Sequence, residues 1–125
     1  MTVSDLTTEP IYAGNRHTLR YTVADQDNAG VPKDLTGISA RWALSKFKTD
    51  GSFSTTSILD KNSTNALQIL ISAPATGVID VFLAEGDTTA LAGDYYFELE
   101  LYIPASYSLV VAAGTLTIVK NVVNV

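Results

Sequence analysis

The stretch DYYFELELYI, residues 94–103, alternates between apolar and polar side chains. Tyr95, Phe97, Leu99 and Leu101 fall in one phase; Tyr96, Glu98, Glu100 and Tyr102 fall in the other. Successive side chains of a strand point to opposite faces, so this period of two predicts a strand with one dry and one wet face. A strand of that kind must lay its dry face on a second layer. The same period recurs in HTLRYTVAD (17–25), which sets His17, Leu19, Tyr21 and Val23 against Thr18, Arg20 and Thr22. In GISARWALSKFK (37–48) it groups Ile38, Ala40, Trp42 and Leu44 opposite Ser39, Arg41 and Ser45. Long 3.6-residue periods are missing, which predicts an all-β chain.

Further strands are expected in FSTTSILD (53–60), which is polar enough for an edge strand or excursion, and in ALQILI (66–71), GVIDVFLAE (77–85) and YSLVVAAGTLTIVK (107–120). Gly114 within the last run predicts a bulge or bend there. DQDNAGVPKDLTG (25–37), KTDGS (48–52) and APATG (73–77) carry the Asp, Asn, Gly and Pro chemistry of loops and turns. Residues 1–10 read as a loose arm, and the whole of 1–125 as one domain. One segment is not strand: in EGDTTALAGDY (85–95), Asp87 is expected to cap a single helical turn near 87–92 that Gly93 stops.

That turn leads straight into the strand that starts with Asp94-Tyr95. In immunoglobulin-like sandwiches a Tyr at this corner, before strand F, bonds back to the upstream backbone, and a Trp is buried on strand C. Tyr95 and Trp42 stand in those places, and Phe97 stands where a second cysteine would be. Leu19 or Tyr21 would face Phe97 across the core, with apolar contact in place of a disulfide. The expected fold is therefore an immunoglobulin-like antiparallel β-sandwich of about seven to nine strands, with a jelly roll, another sandwich or a barrel as the alternatives. Its core is expected to hold Leu19, Tyr21, Trp42, Leu44, Tyr95, Phe97, Leu99, Leu101, Leu116 and Ile118.

Chemistry is harder to find. The 125 residues contain no cysteine, so disulfides, thiol catalysis and thiolate metal sites are excluded. The net charge of −5 and only 8 Lys and Arg, spread along the chain, argue against a nucleic-acid groove. The start, MTVSDLTTEP, lacks a basic and apolar leader, and LVVAAGTLTIV (109–119) is too short to span a bilayer, so neither secretion nor membrane insertion is expected. His17 is the only histidine and has no nucleophile motif to serve; a strand-start histidine at a sheet margin is the reading. Asp25, Asp27 and Asn28 resemble the start of a calcium loop, but the twelfth position is Thr36 rather than Glu, which favours an Asx turn. The NST at 62–64 is a glycosylation sequon that would go unused without a leader. Glu98 and Glu100 share the wet face with Tyr96 and Tyr102, and with Tyr107 nearby these could stack on and hydrogen-bond a sugar, or simply keep the sheet wet. A hydrolase using the two carboxylates would need a pocket around them. No catalytic, cofactor-binding or metal-ligating set is expected.

VPKDLTGISARWAL (31–44), GVIDVFLAEGDTTALAGDYYFELEL (77–101) and AAGTLTIVKNV (112–122) together resemble a group of small phage virion proteins that includes the N-terminal immunoglobulin-like domain of siphophage baseplate upper proteins. The resemblance rests on Pro32 through Gly37 leading into an apolar strand, on Thr89 through Leu101, and on Gly114 to Ile118, about two thirds of the chain. It implies a non-enzymatic virion protein made in the host cytoplasm. The chain ends soon after the sandwich, so the expectation is a module attached to capsid, neck or tail, homo-oligomeric or arrayed, contacting other virion proteins. Segments 1–12 and 48–65 and the final NVVNV are the expected contacts; a host-surface glycan is the alternative ligand.

Overall fold

The computed structural model describes residues 2–5, 11–24 and 31–120. Among the described residues nine strands form two sheets. The first sheet has the order β1 (Thr2–Asp5), β3 (His17–Ala24), β7 (Val78–Leu83), β6 (Ile69–Leu70). The second has the order β2 (Ile11–Tyr12), β9 (Tyr107–Val119), β8 (Gly93–Ile103), β4 (Ser39–Phe47), β5 (Phe53–Asn62). Every ladder is antiparallel except β2 on β9, where Ile11 and Tyr12 run parallel to Ile118 and Val119. In immunoglobulin lettering the sheets are A-B-E-D and G-F-C-C′, with β2 added beside G, so the fold is an immunoglobulin-like sandwich.

The dry faces meet as the alternation predicts. All ten expected core residues are buried, from Trp42 and Leu44 at 0% exposure to Tyr95 at 8%. Tyr21, not Leu19, is the aromatic partner of Phe97, with ring centroids 6.1 Å apart; Trp42 also meets Phe97, at 6.3 Å. Burying the indole N–H would be costly without an acceptor. Trp42 Nε1 donates to Tyr21 Oη at 3.2 Å, which ties the two sheets together through their largest side chains. Tyr95 Oη accepts from Ala92 N–H at 3.1 Å and lies 3.2 Å from Ala92 O, to which it donates. That is the tyrosine corner anticipated at the start of strand F.

The Pro32–Gly37 lead-in has a structural purpose. Asp34 accepts from Thr36 N–H and Thr36 Oγ1, closing an Asx turn that seats the buried Leu35 against the core. Leu35 N–H donates to Pro74 O, and Lys33 N–H to Val23 O, so the loop is stitched to the first sheet. Gly77, at φ 70°, sits where an added Cβ would stand 2.4 Å from Val23 O.

Four expectations need correction. Thr2–Asp5 is a strand paired with Asp5↔Tyr21 through Thr2↔Ala24, not part of a loose arm; residues 6–10 lie outside the described residues. The helical turn is Glu85–Thr88, and its N-cap is Ala84. Asp87 is the third helical residue: its carboxylate reaches back to accept from Ala84 N–H at 2.7 Å, the returning half of a capping box. Gly93, at φ 109°, opens β8 instead of ending a helix. The irregularity in β9 is at Val111, since Leu99 pairs with Ala112 and Glu100 with Val110; Gly114 stays in register opposite Phe97, and a Cβ there would touch the Phe97 ring at 3.4 Å. Only Ile69–Leu70 of the expected 66–71 strand forms a ladder, because the preceding turn is held by Asn65, whose side chain accepts from Leu67 N–H.

Candidate binding surface

The outer face of the five-stranded sheet carries the residues singled out as a surface site, and they divide into two clusters. Near the β4–β5 turn, Tyr96 stacks on Phe53 with centroids 3.8 Å apart and planes 10° apart, and Phe47 meets Tyr96 edge-on at 6.2 Å. Tyr96 Oη donates to Glu98 Oε1 at 2.7 Å. Burial, with the adjacent Glu98 carboxylate, pushes the Tyr96 phenol up to about 12. Phe53, Tyr96 and Glu98, with Ser54, Thr55 and Ser57 of the edge strand, line an open depression of about 250 Å3.

The second cluster is self-contained. Arg41 pairs with Glu100 directly across β4 and β8, and its guanidinium lies over the Tyr102 ring, 5.3 Å from the centroid. Tyr102 Oη donates to Asn62 Oδ1 at 2.9 Å. Glu98 and Glu100 therefore share a face but answer to different partners. Tyr107 packs against the core rather than joining either cluster. Asn62, the sequon asparagine, also accepts from Thr64 N–H and so anchors the β5 end.

Phe47 and Phe53 carry no signal in a search for chemical motifs. They flank the Asp50-Gly51 turn, and only the register that sets Phe47 opposite Phe53 brings both to Tyr96. They are left 37% and 40% exposed.

Elsewhere polar groups secure joints. Asp87 Oδ2 accepts from Lys61 Nζ at 2.6 Å. Lys61 sits opposite Trp42, so it points inward from the edge strand, a device that discourages edge pairing. The buried Thr88 accepts from Gly14 N–H at 2.9 Å. Arg20 makes a two-point contact with Asp80, at 2.7 and 3.0 Å. Asp34 and Asp50 are held below the usual carboxylate range by the Thr36 and Ser52 hydroxyls and backbone N–H groups they accept from. His17 Nε2 accepts from Tyr12 N–H at 3.3 Å, at the head of β3. His17 also borders a second depression of about 580 Å3 with Arg16, Lys61, Leu67, Leu70 and Phe82. Arg16 is paired there with Glu85. Asp25, Asp27, Asn28 and the final NVVNV lie outside the described residues. Among the described residues no three His, Asp or Glu side chains gather as a metal site, and no helix is long and apolar enough to cross a membrane.

No family model matches the chain, and no curated protein matches it. Among solved structures, the chain is similar to the filamin domain of Lin-41, at 10% identity and a TM-score of 0.45, over 93% of this chain and 90% of that one.

Proposed function

We propose that this chain is a non-enzymatic structural module of a phage virion, attached to capsid, neck or tail through protein–protein contacts. The virion context comes from the sequence resemblance. The observation that supports a contact role is where apolar side chains remain outside. Phe47, Phe53, Ile103, Leu109 and Val110 are each 37–45% exposed, and all five belong to β4, β5, β8 and β9 of the larger sheet. Large apolar groups concentrated on one sheet favour a partner's surface over water. The carboxylates of that sheet, by contrast, are engaged: Glu98 by Tyr96, Glu100 by Arg41, Asp60 by Ser57 and Asp94 by Thr117. The test is direct. Particles purified from the phage that encodes the chain should contain it in fixed proportion after salt washes, and cross-linking should join it to one structural protein. Its absence from washed particles refutes the reading.

A second reading has an observation of its own. The depression beside Phe53 and Tyr96 combines an exposed ring, hydroxyl side chains and the Glu98 carboxylate, which suits the apolar face and the hydroxyls of a pyranose. This host-surface glycan site would use Tyr96 and Glu98; Glu100 and Tyr102 are committed to Arg41 and Asn62. Glycan-array binding that Phe53→Ala abolishes would support it, and an array blank at millimolar glycan would remove it.

A further inference from the structure

One guanidinium is already held on the outer face of the larger sheet. Arg41 meets the Glu100 carboxylate and lies over the ring of Tyr102, two residues further along β8. A guanidinium is bound by a carboxylate that matches its charge and a ring that covers its flat face. Just before Glu100 on the same strand the pair recurs in reverse order, as Tyr96 and then Glu98. There Phe53 adds a second ring stacked on Tyr96, and the depression beside them has no Lys or Arg in its lining.

The depression exists because β4 carries small side chains at its centre. Ala43 pairs with Asp60 on one side and Glu98 on the other, so two carboxylates flank a single methyl group. Ser45 pairs in the same way with Ser57 and Tyr96. Ser45 is 7% exposed and lines the depression, and its hydroxyl has no hydrogen-bond partner among the described residues. Glu98 uses only Oε1, for the Tyr96 phenol, so among the described residues Oε2 is open to a further donor. On the outer face of β4 and β8, among the described residues, Arg41 is the only cation, against Asp94, Glu98 and Glu100. At about 250 Å3 the space is smaller than the roughly 300–1,000 Å3 cleft of a whole small-molecule ligand and suits a single side chain.

We propose that this depression receives an arginine side chain of a partner protein, its guanidinium against the Phe53 ring and donating to Glu98 Oε2 and Ser45 Oγ. This rests on the protein–protein reading above and names the chemistry of one contact point. Lysine would match the charge without the flat stacking surface, and Asp60 and Glu98 together repel an anion.

The probe is N-acetyl-arginine amide, titrated at low salt into the isotope-labelled full chain and followed by NMR. Amide shifts at Ser45, Phe53, Tyr96 and Glu98 should saturate with a Kd of about 1–10 mM. N-acetyl-citrulline amide, close in shape but uncharged, should bind at least about tenfold more weakly. Glu98→Gln keeps an acceptor for Tyr96, and Phe53→Ala removes only the ring; each should weaken arginine binding at least about fivefold. No saturation at about 100 mM, equal binding of the citrulline amide, or unchanged affinity in both variants overturns the proposal. Methyl glucoside saturating the same amides more tightly than arginine also overturns it and assigns the depression to a sugar. A chain that ignores the arginine probe yet stays on salt-washed particles overturns the arginine site and leaves the attachment reading standing.

Discussion

Tyr95→Phe isolates the tyrosine corner, because it removes one oxygen and no packing volume. The ring is 8% exposed and would stay in place beside the core. What goes is a pair of contacts to Ala92, one accepted at 3.1 Å and one donated at 3.2 Å. A neutral intramolecular hydrogen bond contributes about 0.5–1.5 kcal/mol net, and an orphaned buried group costs more. Ala92 is exposed, so water can replace the lost partner, which places the pair at about 1–2 kcal/mol rather than higher. Unfolding entropy of about 2.1 cal/mol/K per residue over 125 residues means that each kcal/mol moves Tm by about 4 °C. The expected loss is about 4–8 °C by calorimetry, with an unchanged urea m-value. Tyr12→Phe is the control: its ring is half exposed, so the change should shift stability by no more than about 0.5 kcal/mol. If Tyr95→Phe melts with the parent while remaining folded, the corner contributes only packing and the reasoning fails.

Other perturbations test the surface and the joints. Spectrophotometric titration should show a tyrosine ionisation near pH 12 that Tyr96→Phe deletes. The sign follows from the raised phenol: its contribution is complete below the ordinary tyrosine value near 10 and is lost as pH climbs through about 12. Asp87→Ala should destabilise in urea more than Lys61→Met, because it strands an inward ammonium and uncaps Ala84, while Lys61→Met leaves an exposable carboxylate; equal costs would contradict this. Lys61→Met should also make the protein more prone to aggregate through β5, read by light scattering at equal concentration. Gly77→Ala combines a left-handed backbone with a Cβ driven onto Val23 O and should cost at least about 2 kcal/mol in urea; a loss below half of that would mean the β3–β7 crossing yields easily.

What could be read in advance divides along a physical line. β3, β4 and β8 each have one dry and one wet face, so their period of two is printed in the residues themselves, and the core could be named from it. β1, β2 and β6 are four residues or fewer. At that length no period exists, and a strand is defined only by the neighbour it pairs with. Glycine is the usual marker of a bulge, so the sequence points to Gly114, but Gly114 is small for another reason: the Phe97 ring stands over it. Val111, the residue actually looped out of register, bears no mark. The helical turn was displaced by the same ambiguity, since an aspartate can cap from the first position or return from the third, and only coordinates distinguish them.

The surface site shows the limit more sharply. Phase alone places Tyr96, Glu98, Glu100 and Tyr102 on one face, and phase is silent about partners. The partners come across the sheet, from Arg41 on β4, Asn62 on β5 and the phenylalanines either side of a tight turn. Those contacts split four neighbouring residues into an open aromatic depression and a closed ionic cluster. The corner between β7 and β8 works in the same way: Asp87 joins Lys61 of one sheet to the end of the other, and Thr88 holds Gly14 of the β2–β3 turn. With polar side chains occupied at such joints, what remains to meet another molecule is apolar side chains and open backbone. Apolar side chains are most available at Phe53 and at Leu109 and Val110 of β9, so the larger sheet offers another molecule rings and aliphatic groups more readily than charged ones.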